Sequence, residues 1–328
     1  MKLFLAYVRL IRPLNLFIIA FTLYMVRFCI ILPLRGFYHN DIGLNESTYA
    51  LFSLSFLLMA AGGYIINDYY DVEIDIINKP TKLIIGQLIL PSNALRTYWI
   101  ISIFGLIIGF YSCIKAEVPW LAFIFLFYFI GLLIYSYKLK STFLFGNILV
   151  SICLGLVPLS GIYIQSQYII KHSAPIDPIE INSLRYLAWG VALFAFLSTL
   201  IREIVKDIED IEGDAHAGCR TVPITIGIRA SKSLVQLLSF VMIPLLGTYQ
   251  YEYCHTPNMP FSAYYIGLFI QLPLLMVIVQ SSMAFSPKDF KIVSKWLKFI
   301  MFTGISYFFV FAYDIWYQQH NKIFDFLK

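Results

Sequence analysis

The chain runs to 328 residues with a formal net charge of +5; 59% of it is hydrophobic and only 13% is charged. An ordinary soluble domain carries about 25% charged residues, so this composition, with a mean hydropathy of +0.76, excludes a water-soluble globular enzyme. The small basic excess is spread as a topology signal, not gathered into a patch, and no nucleic-acid partner is expected.

In chain order, Lys2 to Arg12 alternates basic and apolar residues at helical spacing. It reads either as a helix lying on the membrane surface or as the first turns of the first crossing helix. Predominantly apolar stretches of about 20 residues then predict spans at Leu14 to Leu34, Tyr49 to Ile66, Tyr98 to Ile114, Pro119 to Tyr135 and Phe143 to Ile164. Four more follow at Leu184 to Leu200, Leu234 to Thr248, Tyr264 to Gln280 and Phe299 to Trp316. These are hydrophobic all round, the mark of helices buried in lipid, and open sheets at that depth would leave backbone groups unpaired. The expected fold is an all-α polytopic membrane bundle. The first span begins only after Arg9 and Arg12 and lacks a small-residue cleavage site, so it reads as a retained helix and not a signal peptide.

Grouping the amino terminus with the segments after spans 2, 4, 6 and 8 collects 17 of the 24 basic residues. That side is expected to be cytoplasmic, with the amino terminus inside and the carboxyl terminus opposite. Cysteines at 29, 113, 153, 219 and 254 show no CxxC clustering and predict neither a disulfide framework nor a zinc site. The histidines are scattered, and His216, the one near a motif, reads as a solvated loop residue.

Against this apolar background stand two acidic pentapeptides, Asp71-Val72-Glu73-Ile74-Asp75 and Asp210-Ile211-Glu212-Gly213-Asp214. Both fall on the predicted cytoplasmic side, after spans 2 and 6. In a helical continuation Asn67, Asp71 and Asp75 stack at four-residue steps, with Asp68 beside them. Arg202, Lys206, Asp210 and Asp214 repeat that spacing, flanked by Glu203 and Asp207. Carboxylates this close repel one another unless a cation joins them. Oxygen-only ligands without Cys or His favour Mg²⁺, which takes one or two carboxylates and completes its octahedron with water and phosphate oxygens. A single DxxxD at a membrane boundary usually just faces water; two related copies at matching places point to a metal-bridged diphosphate. Lys79, Lys82, Lys138, Lys140 and Arg220 obey the positive-inside rule, and their nearness to the acids also suits phosphate binding. Gly62 and Gly63 read as helix-packing residues, whereas Gly213 and Gly218 are expected to end the second motif's helix and let Ala215 to Pro223 fold over the site.

The run Asn67-Asp68-Tyr69-Tyr70-Asp71-Val72-Glu73-Ile74-Asp75 resembles the NDxxDxxxD signature of the UbiA superfamily of intramembrane prenyltransferases. The run from Arg202 to Asp214, followed by Gly218, Arg220, Thr221, Pro223 and Gly227, resembles that family's second Asp-rich motif. The span count, Arg12-Pro13-Leu14-Asn15 and the Tyr135 to Lys140 loop fit as well, and the resemblance covers essentially all of residues 1–328 as one domain of two pseudo-repeated halves.

The resemblance implies nine helices around a central cavity, and Mg²⁺-dependent transfer of a prenyl group from a prenyl diphosphate, such as geranylgeranyl diphosphate, to a lipophilic acceptor. Carried over by position, Asp71, Asp75, Asp210 and Asp214 would hold the metal, with Asn67 and Asp68 in support. Arg12, Lys82, Lys138, Lys140, Lys206 and Arg220 would face the diphosphate, and Tyr135 would lie near the reacting carbon. Leu83 stands where many members have a Pro after the basic residue. The second motif most resembles the branch whose acceptor is a geranylgeranylglycerol-phosphate-like lipid. An aromatic quinone precursor of the 4-hydroxybenzoate or homogentisate type is the alternative, disfavoured because Lys140 replaces an Arg typical of the 4-hydroxybenzoate members. An ion-coupled transporter would place its acids at mid-depth, whereas these end helices on one side, and a silent scaffold would have no use for their mutual repulsion.

Overall fold

A computed structural model describes residues 2–37, 43–78, 83–172, 178–255 and 259–325. Among these residues nine helices are long and apolar enough to cross a membrane. We number all helices in chain order: α1 (Lys2–Leu10), α2 (Pro13–Leu34), α3 (Glu46–Tyr70), α4 (Val72–Asn78), α5 (Pro91–Lys115), α6 (Pro119–Tyr137) and α7 (Phe145–His172), then α8 (Leu184–Glu209), α9 (Ile211–His216), α10 (Val222–Glu252), α11 (Pro260–Met283) and α12 (Pro287–His320). No strand occurs among the described residues, only an isolated bridge between Ile85 and Ile89.

Local chemistry sets many of the helix starts. Proline opens α2, α5, α6, α11 and α12, where its missing N–H costs nothing. Asn45 caps α3, its side chain accepting from Ser47 N at 2.9 Å. The amino-terminal stretch resolves in favour of a separate helix: α1 stops before Arg12, which takes a left-handed φ of 52°, and it docks Ala6 and Leu10 against Ile65, Ile66 and Tyr98.

Two apolar cores run side by side. One gathers Tyr49, Phe52 and Phe56 of α3 with Phe125 and Tyr128 of α6. The other joins α8, α10, α11 and α12 through residues such as Ile201, Val235, Leu274 and Ile300. Glycine lets α3 and α5 approach closely. A Cβ on Gly62 would overlap Ser102 Oγ, one on Gly105 would press Leu58 at 2.9 Å, and one on Gly109 would overlap Phe125. Ser55 Oγ donates to Gly105 O at 2.6 Å across the same seam. The packing expected of Gly62 and Gly63 is therefore present; Gly63 meets Leu132 of α6. Large apolar side chains on the outside, such as Ile100, Ile107, Phe302 and Phe309, suit a lipid surround.

Two spans begin more than ten residues earlier than hydropathy predicts. α10 starts at Val222 and passes a non-helical Gly227 (φ 80°, ψ 159°), and α12 starts at Pro287. Both extensions carry lysines or arginines (Arg229, Lys232, Lys288, Lys291, Lys295, Lys298) that hide a helix from a hydropathy window.

The second core is also held by polar contacts. Asp314 is 1% exposed, and its Oδ2 accepts from Ser262 N at 2.7 Å, tying α12 to the first turn of α11. Asp314→Leu is expected to strand that N–H in an apolar setting and cost about 1–3 kcal/mol. Thermal unfolding of the detergent-solubilised protein should show the loss, while turnover below the transition stays unchanged.

Candidate functional site

The site is built where α3 and α8 reach their last turns. Asp71 follows α3 at φ −89°, ψ 0°, and Asp210 follows α8 at φ −97°, ψ 8°. Each sits in the bridge region between a long span and a short helix. The i to i+4 hydrogen bonds nevertheless continue through both breaks: Asp71 N donates to Asn67 O at 2.9 Å and Asp75 N to Asp71 O at 2.8 Å, while Asp210 N donates to Lys206 O at 3.0 Å and Asp214 N to Asp210 O at 3.2 Å. The expected four-residue stacking therefore survives locally, and the two motifs share one backbone design. Their short helices, α4 and α9, pack against each other.

Around the first motif the side chains form a chain of contacts. Asn67 Nδ2 donates to Asp71 Oδ2 at 2.6 Å, and Lys140 Nζ from the α6–α7 loop ion-pairs with Asp71 Oδ1. Arg12 Nη2 pairs with Asp68 Oδ1 at 2.5 Å, and its guanidinium lies 4.9 Å from the Tyr64 ring centre. Asp75 lies within electrostatic reach of Asp68.

In the second motif Glu203, almost buried, accepts from Arg202 Nη1 at 2.6 Å and faces Lys206 Nζ at 3.8 Å. The cation row read from the sequence is thus tied to Glu203, about two turns deeper than the metal-type acids. Asp207 accepts from Asn147 Nδ2 of α7 at 2.8 Å. Lys206 reaches Asp210 electrostatically, and Asp207 reaches Asp214. Tyr135, at the end of α6, feels Lys206, Glu203, Asp207 and Asp71, so its ring stands between the motifs.

The loop after α9 closes the assembly. Gly218, at φ 69°, ends α9 as expected, with Cys219 N returning to Asp214 O at 2.9 Å. Gly213 does not: it is buried inside α9. Arg220 N donates to Ser141 O at 2.8 Å, joining this loop to the α6–α7 loop. Cys219 lies beside Asp214, Asp71, Asp207 and Lys140; burial first, then the acids, pushes its thiol upward, so it stays a neutral thiol. Lys138 and Arg220 are exposed on these loops. Lys79 and Lys82 lie outside the described residues.

Among the described residues no three acidic, His or Cys side chains already converge into a self-sufficient metal cage. The all-oxygen carboxylates of the two motifs are of the type that suits Mg²⁺, which keeps water and phosphate in most of its shell, and a cation, Lys140, already sits on Asp71. Asn147 and Tyr64 were not singled out from the sequence as site residues. Asn147 carried a usable signal, a buried amide near the end of a span.

The chain belongs to the UbiA prenyltransferase family, whose sequence model matches residues 28–302. It is a multi-pass membrane prenyltransferase. It is 32% identical over 72% of its own length, and 72% of the relative's, to the digeranylgeranylglyceryl phosphate synthase of Hyperthermus butylicus. A solved structure of digeranylgeranylglyceryl phosphate synthase superposes with a TM-score of 0.66 over 95% of this chain and 99% of that one at 23% identity. A UbiA homolog from Archaeoglobus fulgidus, solved with GPP and Mg²⁺, gives 0.57 over 94% and 99% at 18% identity.

Proposed function

We propose that the enzyme transfers a geranylgeranyl-type group from its diphosphate to a geranylgeranylglycerol-phosphate-like lipid, with Mg²⁺ held by Asp71, Asp75, Asp210 and Asp214. The observation that carries this is the meeting of the two Asp motifs through packed α4 and α9, with Lys140 ion-paired to Asp71 at the junction. The Hyperthermus relative's name and the Archaeoglobus homolog bound to GPP and Mg²⁺ support the substrate class.

Bound Mg²⁺ would supply charge neutralisation to the departing diphosphate. Asn67 orients Asp71, and Arg12 neutralises Asp68 so that it does not repel the substrate. Lys140, released from Asp71 when the substrate arrives, would follow the developing charge on the leaving oxygens, as would Lys206 and Arg220. Lys82 and Lys138 would add to the positive rim. Carbon–oxygen cleavage leaves an allylic cation that must be kept from water, and Tyr135 offers it an aromatic face. The acceptor oxygen then forms the new ether bond and gives up its proton to the released diphosphate.

In this reading residues 1–328 form one domain of two related halves around a central cavity, supported by the shared design at Asp71 and Asp210. The acid motifs and the amino terminus face the cytoplasm, supported by the basic residues on that side, and an odd number of spans puts the carboxyl terminus opposite.

The test is diphosphate release from geranylgeranyl diphosphate by purified protein, with geranylgeranylglyceryl phosphate as acceptor and the lipid product identified by mass. Release should stop with EDTA and return with excess Mg²⁺. Product formed only from 4-hydroxybenzoate or homogentisate would move the enzyme to aromatic acceptors, and no release with any acceptor would overturn the catalytic reading.

A further inference from the structure

The α6–α7 loop touches both acid motifs, and the first residues of α7 hold it in place. Leu144 takes a left-handed φ of 61°, which a branched side chain adopts only when its surroundings impose it. Phe145 N then donates to Phe143 O at 2.7 Å, turning the chain into α7. Gly146 follows, pressed against the turn that carries Lys140. A Cβ there would stand 2.7 Å from Leu139 O and 2.9 Å from Lys140 Cα. Any larger residue would force the turn that carries Lys140 to shift.

The next residue, Asn147, is 7% exposed and crosses the close α7–α8 interface to donate to Asp207 Oδ2 at 2.8 Å. That interface is tight because Gly155 leaves room for Ala192, whose carbonyl oxygen would meet a Cβ at 2.9 Å. Two adjacent residues therefore serve opposite motifs: Gly146 seats the cation on Asp71, and Asn147 holds an acid of the second motif. An amide fixes a carboxylate's orientation without cancelling its charge, which an ammonium would do. Such a donor suits an acid whose charge is still needed by a neighbouring cation.

We infer that Asn147 is a positioning residue, which orients Asp207 and, with Gly146, sets the spacing between the two carboxylate groups that grip the magnesium diphosphate. The inference rests on the function proposed above. An apolar residue of the same size would fill the space equally well, so a purely packing role and a positioning role separate experimentally.

The experiment measures equilibrium binding of geranylgeranyl thiolodiphosphate, a slowly cleaved analogue, to the full-length detergent-solubilised protein over a range of Mg²⁺ concentrations. Asn147→Leu keeps the volume and removes the donor; it should weaken Mg²⁺-dependent binding roughly tenfold. Combined with Asp207→Asn it should add less than about twofold, because both changes remove the same interaction. Gly146→Ala should shift binding in the same direction as Lys140→Met and add little to it. Binding by Asn147→Leu within about twofold of wild type, or losses that multiply in the double variant, would overturn the positioning role. Asp71→Asn and Asp210→Asn separate the two levels of the argument. If they bind the analogue as wild type does, the magnesium–diphosphate reading falls; if they lose binding and Asn147→Leu does not, only the positioning role falls.

Discussion

Asp71→Asn is expected to lower kcat/KM for the prenyl diphosphate by about 10³-fold, close to 4 kcal/mol of transition-state stabilisation. The substitution keeps the size of the side chain and its place at the break after α3, where the backbone bonds to Asn67 O and from Asp75 N hold the turn. What it removes is a charge that faces Lys140 and, in the proposed function, would face the metal. The variant should therefore remain folded, show near-normal thermal unfolding and require far more Mg²⁺ for half-maximal rate. A rate within tenfold of wild type at ordinary Mg²⁺ would mean that Asp71 is not a ligand. Asp210→Asn, at the equivalent break, should behave alike.

The second large effect is expected at Lys140. Its ammonium and the Asp71 carboxylate are both mostly buried, with side-chain exposures of 15% and 18%, so removing one partner leaves the other charge poorly compensated. In Lys140→Met, Asp71 loses its resident cation, and Mg²⁺ no longer has to displace it. Metal affinity should then hold or improve, while kcat falls about 10²-fold because the leaving diphosphate has lost a positive neighbour. Opposite movement of metal affinity and turnover distinguishes Lys140 from a proposed ligand such as Asp71, where both are expected to fall together. Steady-state rates across a Mg²⁺ titration read both quantities at once. A Lys140→Met enzyme with normal kcat would show that the ion pair serves only to hold the loop.

The lipid-crossing elements were readable because hydrocarbon demands a continuous run of apolar residues, and such a run announces itself in composition alone. Their ends were less readable. Where α12 continues through Lys288, Lys291, Lys295 and Lys298 the chain has left that constraint, and a helix carrying charges looks like a loop to any hydropathy window. The acid motifs were legible because carboxylates are so costly beside lipid that their repeated spacing stands out. The partners of those acids were not. Asn147 meets Asp207 across 60 residues of sequence, and only the way α7 packs on α8 brings them together. Gly213 was misread for a related reason: a glycine beside a motif signals either a turn or a close contact, and tertiary packing decides which. The tether of Arg202 and Lys206 to Glu203 was equally hidden, since three charges in one helix can pair in several ways until a neighbouring helix excludes water from one of them.

The glycine seam between α3 and α5 carries a further mechanical consequence. With Ser102, Leu58 and Ser55 already standing where side chains of Gly62, Gly105 and Gly109 would lie, the two rods cannot slip lengthwise without collision, so the depth at which α3 delivers its terminal carboxylate is pinned. In the proposed function the reactive head group would thus meet a fixed ceiling, and adaptation to longer or shorter hydrocarbon tails would fall to the floor and walls beneath it.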